Sequence, residues 1–198
     1  MTSLVLASTS QSRAAILTGA GVAYEAVGSG VDEDEAKERL LGSGAGPREI
    51  AEQLAEAKAL KVSRLRPEAL VIGADQTLDL DGALCDKAET LADARERLLA
   101  LRGQPHRLHS AVVAARGGAA LWRVTESPRL EMRDFSDAFL DGYLARNGQA
   151  LLSSVGCYQL EGEGAQLFVR IEGDYFAILG LPLLPLLGFL RREGALPA

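Results

Sequence analysis

Short apolar segments alternate with amphipathic helical segments along the first half of the chain. Residues 4–7, Leu-Val-Leu-Ala, predict a buried strand, and residues 70–74 predict a second one. Residues 13–18 predict a short helix between them, and the sequence that follows Pro47 predicts a long amphipathic helix. Such alternation of strands and helices is typical of α/β proteins.

The second half of the chain carries more turn signals than the first. Residues 28–46 are rich in glycine and acidic at their start, which predicts a surface loop with one helical turn. The later predicted elements are a hairpin turned at Asp81-Gly82, a helix from Thr90 to about Gly103, strands over 106–115 and 120–133 around Gly117-Gly118, a helix over 136–148 with Ser136 as its cap, strands near 166–171 and 175–179, and a last helix from Pro182 to about Arg192. Because hairpins dominate here, we expect a mixed central sheet with flanking helices.

The second apolar segment runs directly into Asp75, Gln76 and Thr77. We expect Asp75 at the end of its strand, facing the crevice in which open α/β sheets bind ligands. An aspartate that forms a turn or caps a neighbouring element is the alternative interpretation.

Hydroxyl-bearing residues follow the first predicted strand, in the stretch LVLASTSQSR. Backbone N–H groups at the start of the next helix, together with Ser8, Ser10 and Arg13, are suited to binding an anion such as phosphate. Ordinary helix capping explains the same serines. The stretch lacks the glycines of a P-loop or a dinucleotide-binding fingerprint.

Further charged residues extend this pattern. Lys58 falls near the middle of the apolar arc of the helix that begins at Pro47, so its ammonium either extends to solvent, pairs with an acid or meets a ligand. Glu33 and Asp75 together are suited to Mg²⁺, although Glu33 also fits a solvated acidic loop. Lys87 is either a further cation for a ligand or an exposed loop lysine. We assign structural roles to His106 and His109, since no nucleophile or second ligand lies beside either in the sequence.

Composition narrows the classes of partner. The 198 residues carry a net charge of −6 and have a pI near 5.1, which argues against a nucleic-acid polymer as ligand. Two cysteines indicate free thiols in a reducing cytoplasm. The N-terminus shows no export signal, and the uncharged stretch 175–190 is too short and too interrupted by proline and glycine to span a membrane.

Several separated motifs together resemble the Maf family of nucleoside triphosphate pyrophosphatases. They are LVLASTSQSRAAIL, VDEDE, AEAKA, VIGADQTLDLDGALCDKAET, LRGQPHRLHS and RIEGDYFAILGLPLLPLLGFL, and they occur in the family's order and spacing from about Leu4 to Leu190. The resemblance implies a single domain over residues 1–198, with a mixed α/β fold whose two lobes enclose a deep cleft. It also implies a homodimer.

The resemblance further implies metal-dependent hydrolysis of a nucleoside triphosphate to the monophosphate and pyrophosphate, with Mg²⁺ or Mn²⁺ as cofactor. Asp75 corresponds to the family's catalytic acid, which accepts a proton from the attacking water, and Glu33 to a second acid beside the metal. The phosphate-side positions correspond to Ser8, Arg13, Lys58 and Lys87. Cations and a metal at these positions would offset charge on the phosphates while the carboxylate orients water.

Departures from the family pattern concern the base and the loops. Ser12 replaces a larger residue, and Asp86-Lys87-Ala88 replaces the usual Gly-Lys-Pro. Gln76 and Glu161 resemble the branch that prefers 7-methyl-GTP, and a carboxylate at position 161 is suited to the two adjacent donors of guanine. We therefore expect a guanine-type base, although Ser12 lacks the aromatic ring expected beside it.

Two other classes of function stay open at the sequence level. The altered SQSR and DKA segments are also consistent with a nucleotide-binding regulatory protein of cell division whose catalysis is weak or lost. A structural scaffold is the third possibility. Release of pyrophosphate separates the enzyme from both.

Overall fold

Eight strands and seven α-helices are described by a computed structural model over residues 3–197. The strands are β1 (Leu4–Ala7), β2 (Glu25–Val27), β3 (Leu70–Leu80), β4 (Ala83–Cys85), β5 (Pro105–Arg116), β6 (Ala119–Glu126), β7 (Arg129–Met132) and β8 (Phe168–Glu172). The α-helices are α1 (Gln11–Gly19), α2 (Glu33–Gly42), α3 (Pro47–Leu65), α4 (Leu91–Leu101), α5 (Asp137–Asn147), α6 (Tyr175–Ile178) and α7 (Leu183–Arg192). Short 3₁₀ helices cover Gly148–Ser153 and Glu163–Leu167.

All eight strands belong to one mixed sheet, which confirms the predicted fold class. Its order is β2-β1-β3-β5-β7-β8, with β4 paired to β3 and β6 paired to β5. β1 is parallel to both β2 and β3, and every other pairing is antiparallel. The long antiparallel pair β3–β5 forms the centre of the sheet.

Several predicted helix boundaries and turns are confirmed. α3 begins at Pro47, and Thr90 forms a capping box with Asp93 at the start of α4. Asp81 and Gly82 both have positive φ, as a tight hairpin turn requires. Ser136 caps α5, and its C-cap Gly148 also has positive φ.

Three sequence predictions were wrong about local structure. The segment 28–46 contains the full helix α2, because Asp32 caps it and three acids occupy its first turn. Residues 175–179 are mainly the short helix α6, since the side chain of Asp174 accepts a hydrogen bond from the N–H of Ala177. The predicted strand over 120–133 is interrupted at Ser127-Pro128 and forms both β6 and β7. The strand predicted near 166–171 is confirmed as β8, which begins at Phe168 after a 3₁₀ turn.

The fourth correction concerns Asp75, which does not end its strand. β3 continues to Leu80, because its pairing with β5 extends through Asp79 opposite Arg107. The other edge of β3 pairs with β1 as far as Gly73 and with β4 only from Leu78 onward. Residues 74–77 therefore face a gap between two partner strands, and this gap explains how a polar run fits into a central strand.

Two larger apolar cores lie on either side of this gap and form the two lobes. The core of the first lobe contains Leu70 and Ile72 from the start of β3 and packs against α1 and α7. The core of the second lobe contains Leu78 and packs against α4 and α5. β5 also contributes to both cores, so the two central strands connect the lobes.

α3 lies unusually close to β3. A buried row of Ala51, Ala55 and Ala59 faces the sheet, and a side chain at Gly73 would collide with the Ala55 carbonyl and the Ala59 backbone. The absence of side-chain bulk on both elements allows this close approach. It brings Lys58 of α3 next to Asp75.

The described residues include no helix that combines the length and the apolar character needed to cross a bilayer. Cys85 is half-buried and Cys157 is buried, and both carry free thiols.

Candidate active site

A cleft of about 960 Å³ opens over the gap in β3, between the two lobes. Its volume lies within the range typical of small-molecule sites. All ten residues that the sequence singled out as candidate site residues line it: Ser8, Ser10, Ser12, Arg13, Glu33, Lys58, Asp75, Gln76, Lys87 and Glu161. The structure therefore brings together residues from six separate parts of the chain.

The centre of the cleft is a lysine held between two acids. Nζ of Lys58 lies 2.7 Å from Oδ1 of Asp75 and 2.8 Å from Oε1 of Glu33. Lys58 is 4% exposed and Asp75 is 6% exposed, whereas the Glu33 side chain is partly open to solvent. Of the alternatives for the Lys58 ammonium, the structure shows pairing with acids, inside the cleft.

Burial and the neighbouring cations shift the pKa of Asp75 in opposite directions. Burial raises the pKa of its carboxyl group, while the positive charges of Lys58 and Arg13 lower it and the negative charge of Glu33 raises it. The net pKa is above the ordinary value. A carboxylate with a raised pKa is a stronger proton acceptor than one in water.

Arg13 is oriented by two contacts in the first lobe. Its Nε donates to the carbonyl of Gly180 at 2.9 Å, and its NH1 donates to Oγ of Ser8 at 3.1 Å. Burial lowers the pKa of Arg13, and Asp75 and Glu33 oppose that change. The guanidinium still has N–H groups beyond those two contacts, which can face a ligand.

The loop before α1 combines capping with a polar lining. Oγ of Ser8 accepts from the N–H of Ser10 at 3.2 Å, and Oγ of Ser10 accepts from the N–H of Arg13 at 3.4 Å. Ser10 caps the helix, as the capping interpretation predicts, and Ser8 lines the cleft, where a role in binding an anion stays a prediction. Gln11 and Ser12, at the start of α1, also line the cleft, and N–H groups in the first turn of a helix lack intrahelical acceptors.

Lys87 joins the same cluster of charges from the second lobe. Partial burial lowers the pKa of its ammonium, and the positive charge of Arg13 lowers it further, while Glu33 and Asp75 raise it. These mutual effects indicate that the four groups lie within electrostatic range of one another.

Gln76 points toward α6 and the two residues that follow it, which we call the α6 segment (175–180). Its Nε2 lies 2.8 Å from Oγ of Ser110 and 3.0 Å from the carbonyl oxygens of Ala177 and Ile178. The amide nitrogen is thus occupied by internal acceptors, and Gln76 holds the segment whose Gly180 carbonyl orients Arg13.

Sequence reasoning missed a contact across the cleft. Nζ of Lys37, on α2, lies 2.9 Å from Oδ1 of Asp86, which follows β4. Both residues line the cleft. Lys37 fell within the segment predicted as a loop. Recognition of α2 from Asp32 and the acids after it would have placed Lys37 one turn after Glu33.

Both histidines lie outside the cleft lining. Nε2 of His106 hydrogen bonds with the hydroxyl of Tyr158 at 2.7 Å, and burial lowers the pKa of His106 to about 4. His109 contacts Oγ of Ser127 at 2.8 Å and Oδ2 of Asp79 at 3.2 Å. Structural roles for both remain our interpretation.

The donor set of the cleft is compatible with a hard divalent cation. The carboxylates of Glu33 and Asp75 lie close together, since both contact the Lys58 ammonium, and Mg²⁺ typically takes one or two protein carboxylates together with substrate phosphates and water. Across residues 3–197, no group of three His, Cys, Asp or Glu side chains is arranged to hold a metal by itself. A metal here would therefore share its coordination with the substrate.

Comparison with known proteins shows the family of this chain. A family model described as Maf-like protein matches residues 3–193. The chain belongs to the Maf family. Membership is supported by a protein of Caulobacter vibrioides, named nucleoside triphosphate pyrophosphatase, that is 63% identical over 99% of this chain and 98% of its own length.

Two further family members match over nearly their whole lengths. A protein of Granulibacter bethesdensis, also named nucleoside triphosphate pyrophosphatase, is 54% identical over 98% of each chain. A protein of Rhizobium meliloti, named 7-methyl-GTP pyrophosphatase, is 49% identical over 98% of each chain.

Proposed function

We propose that this Maf-family chain hydrolyses nucleoside triphosphates to nucleoside monophosphates and pyrophosphate, with a divalent cation. The names of its relatives support the reaction class. The observation that carries the proposal is the Lys58 ammonium held between Asp75 and Glu33, with Arg13 and Lys87 in the same cleft. Such a combination of acids and cations is suited to an anhydride of phosphoric acid.

The cations bind the triphosphate in this proposal. Arg13 and Lys87 contact phosphate oxygens, Ser8 adds a hydroxyl donor, and Lys58 contributes positive charge beside the reacting group. Asp75 accepts a proton from the attacking water, which its raised pKa favours. The water attacks one phosphorus of the α–β anhydride, the bond from that phosphorus to the bridging oxygen breaks, and the monophosphate and pyrophosphate separate.

Glu33 and Asp75 are the residues proposed to hold Mg²⁺ or Mn²⁺. When bound, the cation would neutralise negative charge on the phosphates. The buried Lys58 ammonium offsets the repulsion between the two carboxylates.

A guanine-type base, such as 7-methylguanine, is the proposed preference. Glu161 is the residue suited to accept hydrogen bonds from the two adjacent donors of guanine, and the name of the Rhizobium meliloti relative agrees with this choice. Ser12 lines the cleft beside it. Gln76 contributes through the α6 segment, because its amide nitrogen is already engaged there.

The proposal is tested by product analysis with purified chain. Wild type and Asp75→Asn are incubated with Mg²⁺ or Mn²⁺ and a panel of ordinary, methylated and deaminated triphosphates. We expect monophosphate and pyrophosphate from at least one substrate, and a loss of about 10²- to 10⁴-fold in Asp75→Asn. Asp79→Asn, on the same strand, serves as the matched control and is expected to retain activity.

Three outcomes would contradict parts of this proposal. Full turnover by Asp75→Asn would exclude the proposed base. Tight nucleotide binding without turnover would favour the regulatory protein, and release of orthophosphate alone would exclude hydrolysis at the α–β bond.

The remaining parts of the proposal concern organisation. The family match over residues 3–193 supports a single domain. The family resemblance supports a homodimer, which sedimentation of the purified chain tests. Two free thiols support a place in the reducing cytoplasm, and the net charge of −6 supports a small nucleotide rather than a nucleic-acid polymer as partner.

A further inference from the structure

A second hollow, of about 430 Å³, adjoins the cleft on the side of α1. We name it the annex; it shares three residues with the cleft, Ser12, Leu179 and Glu161. The remaining lining residues carry no charge: Ala15, Ile16, Gly19, Ala20, Phe176 and Leu183. The annex is thus an apolar extension of a polar cleft.

The annex lies against a face of α1 on which small residues outnumber large ones, with Ile16 as the large side chain among them. Ser12, Ala15 and Gly19 lie three and four residues apart, so they share a face of the helix. A side chain added at Gly19 would meet no atom within 4 Å. The larger apolar side chains of Phe176 and Leu183 form the opposite wall.

Charge determines which end of a nucleotide lies next to the annex. Arg13 and Lys87 attract the triphosphate toward the buried Lys58. Glu161, at the junction with the annex, repels phosphate and favours a group that donates hydrogen bonds. The base, rather than the phosphate chain, therefore lies at the junction.

We infer that the annex is a subsite for a bulky apolar substituent on the base of a nucleoside triphosphate. This inference rests on the proposed function and specifies its substrate class. A cavity of about 150 Å³ is sufficient for benzene, so the annex has room for an alkyl or aryl group. Entry of such a group removes apolar surface of both ligand and annex from water, which favours binding.

Benzylated triphosphates provide the test. kcat/KM is measured for GTP benzylated at its exocyclic amine, GTP benzylated on its imidazole ring, ATP benzylated at its exocyclic amine and UTP benzylated at carbon 5, each beside its unmodified parent. Gly19→Leu and Ala15→Leu fill the annex, and both suit a helix. Gly42→Leu, at the exposed end of α2 where a side chain also meets no atom within 4 Å, is the matched control.

For wild type we expect at least one benzylated triphosphate to have a kcat/KM equal to or greater than that of its parent. In Gly19→Leu and Ala15→Leu the ratio of benzylated to parent kcat/KM is expected to fall by about tenfold or more, mainly through KM. In Gly42→Leu the ratio should equal that of wild type. Ala15→Leu keeps the test valid if Gly19→Leu does not fold.

The outcomes separate this inference from the proposed function. Two results would overturn the subsite alone, provided that the parent triphosphates are hydrolysed. In the first, every benzylated substrate is strongly disfavoured. In the second, Gly19→Leu and Ala15→Leu leave the ratio of benzylated to parent kcat/KM unchanged. A chain that hydrolyses none of the triphosphates would overturn the proposed function and the subsite with it.

Discussion

Nζ of Lys58 lies 2.7 Å from Oδ1 of Asp75, in a buried contact between the centre of a helix and the open gap of a strand. Glu33 approaches the same ammonium from the partly exposed side. Removing the ammonium would leave two acids without their shared cation, which is costly for a buried carboxylate. This relationship leads to the first two predictions.

We predict that Lys58→Met lowers kcat/KM by about 100-fold or more, because the proposed site loses a buried positive charge. The free energy of unfolding at pH 7 should also fall by about 3 kcal/mol, as measured by urea titration. Lys61→Met, which changes an exposed lysine one turn along the same helix, should stay within about 1 kcal/mol of wild type. Equal effects of the two substitutions would argue against a special role for Lys58.

The acid limb of the pH–rate profile reports on Asp75. The proposed reaction needs the ionised carboxylate, so the rate falls as pH drops through the pKa of Asp75. Burial raises that pKa above the ordinary 3.8 in the chain without a cation, and a cation bound at Asp75 would lower it, so the prediction concerns the shift of the limb between variants. Lys58→Met should move the limb to higher pH, because Lys58 lowers the pKa. The measurement is kcat/KM against pH at constant free metal, with Lys61→Met as control; an unmoved limb would contradict the assignment.

Gln76→Glu tests whether position 76 supports the α6 segment. The substitution replaces a donor by a carboxylate that faces two carbonyl oxygens, so we expect a loss of about 2 kcal/mol in unfolding free energy and a higher KM. Gln104→Glu makes the same chemical change at an exposed position and should alter stability by less than about 1 kcal/mol. A changed base preference at unchanged stability would instead indicate that Gln76 reads the base.

Gly73→Ala tests the close approach of α3 to β3. The added Cβ would lie 2.8 Å from Cβ of Ala59 and closer still to backbone atoms, so the helix must shift. We expect a loss of about 3 kcal/mol in unfolding free energy and reduced activity, since Lys58 moves with the helix. Gly42→Ala, where the new methyl group meets nothing within 4 Å, should be neutral or slightly stabilising. Wild-type stability in Gly73→Ala would contradict the packing.

His106 should make stability fall in mild acid. Its pKa is lowered by burial to about 4 in the folded chain, against an ordinary 6.5. As pH falls below 6.5 the unfolded chain takes up a proton that the folded chain does not, so unfolding becomes easier until pH 4. By pH 4.5 this difference in proton binding lowers the free energy of unfolding by roughly 3 kcal/mol.

The comparison is His106→Gln, in which that loss is absent. Urea titrations at pH 7.5 and pH 4.5 should show a smaller pH effect in the variant than in wild type. An identical pH effect in both proteins would show that His106 does not titrate in this way.

The amphipathic pattern of the chain predicted α3 and placed Lys58 on its buried face, and turn and cap residues predicted α5, the hairpin at Asp81-Gly82 and the start of α4. These features depend on contacts between near neighbours. The same local reasoning failed for residues 175–179, whose apolar character fits a strand but whose cap at Asp174 starts a helix. It also ended β3 too early, because it did not include the pairing with β5.

The sequence by itself therefore determined the main amphipathic helix, the residue types of the site and, through its motifs, the family. Tertiary structure decided that Asp75 faces a gap between β1 and β4, that Lys58 joins it to Glu33, and that the small residues on one face of α1 leave an annex beside Glu161. The physical reason is that local pattern reports hydrogen bonding and burial of one segment. Gaps, close approaches and cavities arise from how distant segments pack against one another.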